Sequence, residues 1–282
     1  MDFNTLKIFR SVARAGSISR AAEELHYVQS NVSARIQQLE ERLGATLFVR
    51  QSRGMRLTAA GETLISYADR ILNMREEAIQ AVLSTTQGKG LLKIGVMEST
   101  LAIRLPDVLH DFVARYPDIN LDIQTGATDT LLDAVVNHRV DGAFIGGDIK
   151  SSQVKSVYLL SEEIVLITST SMTSPDQCAF KKLIVFRQGC AYRAFGEQWL
   201  REQGYSPVKI TELGTLDGIL TCVSAGIGIT FLPKSVAEKH FLGQKIRFHS
   251  LDSDRARVNI NVIMNGDTQP HPGLMMLVDL IL

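Results

Sequence analysis

The sequence predicts an α/β protein in three parts: a small helical head, a long linker helix and a two-lobed α/β body. Three observations predict it. Apolar residues recur at helical spacing in three segments between Phe3 and Leu43, and two short strand-like runs follow. From Thr58 no proline occurs until Pro106, and the apolar residues in between start in heptad spacing. From Leu91 onward strand, turn and helix alternate through two successive rounds.

The bulk composition agrees with several domains. The 282 residues are 45% hydrophobic and 21% charged, an ordinary globular mixture. Met1–Arg10 lacks a basic region followed by an apolar run, so no secretion signal is expected. No stretch reaches the ~18 apolar residues of a membrane span. Cys178, Cys190 and Cys222 are an odd, scattered set, which suits a reducing, cytoplasmic setting better than a disulfide framework. Net charge is zero but unevenly spread. Met1–Thr58 holds nine Lys+Arg and five Asp+Glu (9 − 5 = +4), leaving −4 on the rest (21 − 25). A basic head on an acidic body can attract phosphate while the whole stays neutral.

In the head, Asp2 can cap a helix carrying Phe3, Leu6, Phe9 and Val12, which Gly16 ends. Ser17 or Ser19 can cap a short second helix whose buried face is Ala21, Ala22 and Leu25. A third helix runs from about Gln29 to Leu43, buries Val32, Ile36, Leu39 and Leu43, and stops at Gly44. Its first turns carry Gln29, Ser30, Asn31, Ser33 and Arg35 on or beside the face that stripe leaves over. All can donate to or accept from base edges, and a helix entering the major groove leads with its first turns. A small bundle with a solvated polar face would show the same residues. LFVR and MRLT then read as two strands joined by a Gly-containing turn, with Arg50, Arg53 and Arg56 clustered where they could straddle a phosphate backbone.

From Phe3 to Gly61 the chain resembles the winged helix-turn-helix of LysR-type transcriptional regulators. The pieces AAEEL, QSNVS, LEERLGATLF, VR and LTAAG occur in the family's order and spacing. One position departs: Val28 stands where the family usually places a Ser or Thr cap for the recognition helix. YVQSNVSARIQQLE and VFRQGCAYR most resemble the CzcR-like subgroup, associated with cation-efflux genes in bacilli.

Thr58 can cap a linker helix reaching Thr86, about 40 Å long at ~1.5 Å per residue. Ile65, Ala68, Leu72, Ile79 and Val82 form its heptad seam, with Arg75 intruding, and Leu64, Ile71 and Ala78 widen the stripe. Such a helix needs a partner to cover that stripe. The resemblance implies the same, a helix pairing two chains into a homodimer or homotetramer. Two recognition helices on a dyad imply an imperfect palindrome as the DNA site. QGKG at 87–90 reads as a joint.

In the body, the strands LLKIGVM, INLDIQTG, DGAFIGG, EEIVLITST, LIVFRQG, PVKITELG and IGITFLP alternate with helical segments. One helix is expected from ESTLAIRLPDVLHDFVARYP. TDTLLDAVVNHRV, CAYRAFGEQWLREQG, TLDGILTCVSAG and GLMMLVDLIL supply the others. Alternation implies parallel sheets covered by helices. This half resembles the family's effector-binding domain, similar to periplasmic solute-binding proteins. That resemblance implies two crossovers, near Glu162–Ile164 and in RVNINVIM. The expected domains are 1–58 (DNA-binding), 59–90 (linker and hinge), 91–161 plus 263–282 (lobe I) and 162–262 (lobe II).

Ligands of open α/β sheets bind beyond the carboxyl ends of strands. Four such places here are Glu98-Ser99-Thr100, Gly126-Ala127-Thr128, Arg187-Gln188-Gly189-Cys190 and Gly214-Thr215. Hydroxyls and free N–H groups suit a small anion or carboxylate, although Ser99, Thr128 and Thr215 are each also ordinary helix caps. Glu98 opposes a plain anion, and family members commonly have a small or hydroxyl residue there. The expectation is that Glu98 selects an amine-bearing or zwitterionic effector. Arg187 and Arg193 can hold a carboxylate or sit in surface ion pairs. Cys190, at a helix start beside arginines, is either an activated thiol or a small buried residue.

The six histidines and three cysteines show no zinc spacing, so no metal is expected. GIGIT is not a dinucleotide fingerprint, and GxSxG, P-loop and HExxH patterns are absent. The reading is a DNA-binding regulator, not an enzyme, with no cofactor beyond a small-molecule effector. Its expected partners are double-stranded DNA and RNA polymerase. A solute-binding protein and a cleft enzyme are the alternatives.

Overall fold

The computed structural model describes residues 1–51, 54–87, 89–149, 151–172, 182–205, 209–240, 245–251 and 256–282. These form two compact units, Met1–Ile79 and Gln80–Leu282.

In the first unit, α1 (Phe3–Ala15) starts where the Asp2 carboxylate accepts the Thr5 N–H at 2.8 Å. It ends at Gly16, whose φ of +62° glycine adopts without strain. Helix α2 (Ile18–Glu24) is capped by Ser17, not Ser19. Its buried Ala21 and Ala22 let the neighbouring helices approach closely. Helix α3 (Gln29–Leu43) buries Val32, Ile36 and Leu39. The expected inward positions Phe3 and Leu43 are instead exposed. Phe3 lies beyond the packed face of α1 and receives the Arg75 guanidinium over its ring at 5.6 Å.

Strands β1 (Phe48–Gln51) and β2 (Gly54–Leu57) form an antiparallel hairpin, with Phe48 opposite Leu57. The Glu40 carboxylate accepts the Leu47 N–H at 2.7 Å and ties α3 to the hairpin. The Gly16 carbonyl accepts the Met55 N–H at 2.8 Å from the other side. The hairpin is thus pinned to both α1 and α3. Helix α4 (Ala59–Gln87) begins where the Thr58 hydroxyl accepts the Gly61 N–H at 3.0 Å. At 29 residues it is about 43 Å long.

The seam of α4 differs from the heptad reading. Leu64, Ile65, Ala68 and Leu72 pack into the unit's own core, with Ala68 fully buried. Along the part of α4 in this unit, the large apolar residues left exposed are Tyr67, Ile71, Met74 and Ile79. Heptad spacing identified a stripe, but part of it belongs to the helical head.

The second unit is built on one nine-stranded sheet with an eight-strand path β4-β3-β5-β11-β6-β9-β7-β8, and β10 paired to β6. Its elements are β3 (Gly90–Val96), α5 (Glu98–Ile103), α6 (Leu105–Arg115), β4 (Ile119–Thr125), α7 (Thr128–Val136) and β5 (Gly142–Gly146). Then come β6 (Val154–Ser169), β7 (Lys182–Val185), α8 (Ala191–Glu202), β8 (Ile210–Glu212), α9 (Leu216–Ser224) and β9 (Gly228–Pro233). Helix α10 (Lys234–His240), β10 (Ile246–Ser250), β11 (Arg257–Asn265) and α11 (Pro272–Asp279) complete the chain.

The sheet is mixed, which corrects the all-parallel expectation. Strand β3 is parallel to β4 and β5, and β7 is parallel to β8 and β9. Strands β6 and β11 run antiparallel to each other and to their other neighbours. The reason is the length of β6. Its 16 residues pair with β11 along the first part and with β9 and β10 along the second, so one strand serves both groups of parallel strands. The single helix expected after Glu98 is two, because Pro106 lacks an N–H and fits only the first turn of a new helix. Helix α11 buries Leu274, Leu277 and Val278 in a cluster with Leu92 and Phe112.

Candidate functional site

Helix α3 presents two faces. With Val32, Ile36 and Leu39 buried, Gln29, Ser30 and Asn31 stand exposed at its start. Ser33 and Arg35 are half-buried at the edges, and Arg35 lies 4.0 Å from the Asp2 carboxylate. Gln29 accepts the Ser19 hydroxyl at 3.1 Å, which links the two helices of the pair. Ala34 and Gln37, which the small-polar pattern did not single out, are exposed farther along the helix, and a helical wheel drawn around the buried stripe finds them. Val28 occupies the cap position with extended backbone and no side-chain hydrogen bond, so the family's hydroxyl cap is lost rather than replaced. On the hairpin, Arg56 is exposed. Arg50 is opposite Met55 in the ladder, and its side chain, like Arg53 as a whole, lies outside the described residues.

The second unit contains a cleft of about 430 Å³ between the carboxyl ends of β3 and β4 and the loops leading to α8 and α9. Glu98, Ser99, Arg187, Gln188, Cys190 and Gly214 line it. Phe186, Tyr192 and Leu213, which sequence patterns did not identify, supply apolar and aromatic wall. Gly126 and Ala127 also line the cleft, whereas the remaining expected residues do different work. Thr128 is buried and donates to the Gly146 carbonyl at 3.3 Å. Thr215 caps α9 by accepting the Gly218 N–H. Thr100 is buried on α5 without lining the cleft. Gly189 has φ +89° and faces Asp129 of α7, where a Cβ would lie 2.8 Å from the carboxylate oxygen. Thr128, Gly189 and Arg193 line a second, shallower hollow.

Short helix α5 is held from three directions. Glu98 Oε1 accepts the Leu216 N–H of α9 at 2.9 Å. Lys239 of α10 donates to the Ala102 carbonyl at 2.7 Å. Arg104, just past its end, donates to the buried Glu162 of β6 at 3.2 Å. Glu162 also accepts the Tyr192 phenol at 2.7 Å. Burial first, then the Glu162 charge, holds that phenol well above its ordinary value. The cleft wall therefore rests on an Arg104–Glu162–Tyr192 chain that begins at the exposed Arg104 beside α5 and is buried at Glu162 and at Tyr192 of α8.

Arg193 is committed to Glu197 at 2.7 Å and Glu212 at 2.6 Å, the ion-pair outcome of its two readings. Cys190 is buried at the start of α8. Burial pushes its thiol up, outweighing nearby backbone N–H groups and Arg193. That favours the small-buried-residue reading over an activated thiol. No cluster of three potential metal ligands occurs among the described residues. No described helix is long and apolar enough to cross a membrane.

Comparison with known proteins decides the family. Residues 3–62 match the model of the bacterial regulatory helix-turn-helix of the lysR family, and residues 85–282 match the LysR substrate binding domain. The chain belongs to the LysR family. GltR of Bacillus subtilis, an HTH-type transcriptional regulator, is 40% identical over 97% of this chain and 94% of its own length. YusT of the same species is 40% identical over 95% of this chain and 91% of its own. CzcR of Bacillus cereus is 38% identical over 95% and 92%. The crystal structure of CbnR complexed with its target DNA has a TM-score of 0.74 at 23% identity, covering 100% of this chain and 99% of that one. This LysR-type protein is a DNA-binding transcriptional regulator with an effector-binding domain, not an enzyme.

Proposed function

We propose that this regulator binds an imperfect dyad near promoters as a homodimer or a dimer of dimers, and that a small molecule in the cleft switches that binding. The observation that carries the reading is the exposed polar start of α3 standing over its buried stripe. Gln29, Ser30, Asn31, Ser33 and Arg35 read base edges, while Arg50, Arg53 and Arg56 hold phosphate. The exposed Tyr67, Ile71 and Met74 of α4 support pairing of two chains. Glu98, Ser99, Arg187, Gln188 and Cys190 border the effector, whereas Thr100, Thr128, Gly189 and Thr215 shape the elements around it. Residues 91–161 with 263–282 form one lobe and 162–262 the other, joined through β6 and β11. Effector binding shifts lobe closure, and with it the spacing of the DNA-binding heads and access of RNA polymerase. The two arrangements must differ in effector affinity for this to work. The setting is the reducing cytoplasm.

Footprinting upstream of the protein's own gene, across a range of salt, tests this. A protected dyad with affinity falling steeply in salt is expected. Absence of protection on any DNA at low salt would overturn the proposal.

A further inference from the structure

Charge is sparse and polarised in the cleft. Among its lining residues the charged side chains are Glu98 and Arg187. Glu98 uses Oε1 to accept the Leu216 N–H, so a carboxylate of the protein already occupies the start of α9. An anionic ligand finds that helix start taken and meets like charge beside it. Oε2 makes no hydrogen bond among the described residues, so it remains open to a cationic donor. Arg187 is exposed and forms no ion pair among the described residues. Of the other charges nearby, Arg193 is held by Glu197 and Glu212 and Glu162 by Arg104 and Tyr192, while Asp129 faces Gly189 in the neighbouring hollow rather than lining the cleft. Met97, Phe186 and Leu213 add apolar wall suited to an uncharged ligand body.

We infer that the cleft takes a small zwitterion, such as an α-amino acid, with its ammonium group on Glu98 and its carboxylate on Arg187. This rests on the effector reading above and narrows it to one chemical class. A charge-assisted hydrogen bond to a carboxylate in a partly desolvated cleft distinguishes amine-bearing from amine-free ligands by about tenfold or more. Dicarboxylates are refused by the same group, because specificity here includes a repulsive element.

The test is calorimetric titration of the full-length protein, without DNA, against the L-α-amino acids. Each is paired with the acid lacking the amine and with a dicarboxylate of equal chain length. An amino acid that binds at least about tenfold more tightly than both counterparts is the expected result. Glu98→Gln keeps an oxygen able to accept the Leu216 N–H but loses the charge, so it should remove most of that preference without unfolding the domain. Arg187→Met should weaken amino acid and amine-free acid alike. The inference is overturned if no amino acid binds, if an amine-free acid or dicarboxylate binds equally well, or if Glu98→Gln leaves the preference intact. Footprinting with the same compounds separates the two readings. A zwitterion that binds without altering any footprint overturns the switch and not the ligand class. A footprint altered by a dicarboxylate alone overturns the ligand class and not the switch.

Discussion

Replacing Tyr192 by phenylalanine removes one oxygen from a buried chain and nothing else. The phenol donates to Glu162 at 2.7 Å, and Glu162 is buried with Arg104 as its other partner. Without the phenol, one carboxylate oxygen stays buried and loses its donor. Hydrogen bonds to charged groups contribute about 1.5–3 kcal/mol, and an unsatisfied buried group costs a comparable amount. For a unit of about 200 residues, ~1 kcal/mol moves Tm by about 2–4 °C, so Tyr192→Phe should lower the melting temperature of the effector-binding domain by about 3–12 °C. The pH dependence gives a second signature. In the unfolded chain a tyrosine ionises near pH ~10, whereas the folded protein keeps the Tyr192 proton to higher pH. The unfolded state therefore binds fewer protons above that pH, and the stability contributed by the neutral phenol falls as pH rises. Tyr192→Phe should flatten this alkaline decline. Differential scanning calorimetry of both proteins between neutral pH and about pH 11 measures both effects. A variant that melts within about 1 °C of the parent and shows the same alkaline slope would refute the buried-chain argument.

The other predictions concern each part of the chain. Asn31→Ala should cost about 1–3 kcal/mol on the specific DNA and relax preference at one base position, while Arg56→Gln should weaken all sequences alike and reduce the salt slope by about one; fluorescence anisotropy at several salt concentrations separates the two. Met74→Glu, placed at a residue 41% exposed, should leave the first unit folded yet yield monomers in sedimentation velocity, and an unchanged dimer would exclude this face. Cys190 should react slowly with iodoacetamide near neutral pH in the folded protein, since burial raises its thiol pKa; rapid reaction would revive an activated thiol.

Much of the first unit was legible because its signals are local. Asp2, Gly16 and Gly44 act where their side chains, or the lack of one, dictate. The 3–4 spacing of Val32, Ile36 and Leu39 identifies the buried side of α3 without reference to the rest of the fold. Competition for apolar surface was not legible. Heptad spacing cannot say whether Ala68 and Leu72 face a partner or the head of their own chain, and the structure assigns them to the head. In the second unit, alternation located most strands but not the direction of β6 and β11, because an antiparallel centre follows from where the chain crosses rather than from residue pattern. Strand β10 and helix α10 were missed as elements too short for a periodic signal.

The cleft shows the same division. Glu98, Ser99, Arg187, Gln188 and Cys190 could be placed beside a cleft from sequence because they sit beyond strand ends, and they line one. Thr128 and Thr215 share that placement but spend their hydroxyls on local backbone. Tyr192 and Glu162 carried no signal. They are distant in sequence and ordinary as residue types, and only the tertiary fold, which brings the Tyr192 phenol to the Glu162 carboxylate, makes them one unit.

Val28 has a consequence for what DNA does to the protein. With no oxygen in the cap position, the backbone N–H groups of Gln29 and Ser30 have no acceptor among the described residues. In free solution water serves them; on a duplex, a phosphate oxygen can. The nucleic acid would then finish the helix as well as being read by it. Part of the association energy would appear as suppressed fraying, and amide exchange at those two residues would slow on occupancy. A hydroxyl restored by Val28→Ser would stiffen the free helix and shrink that difference, turning a helix completed by its target into one completed beforehand.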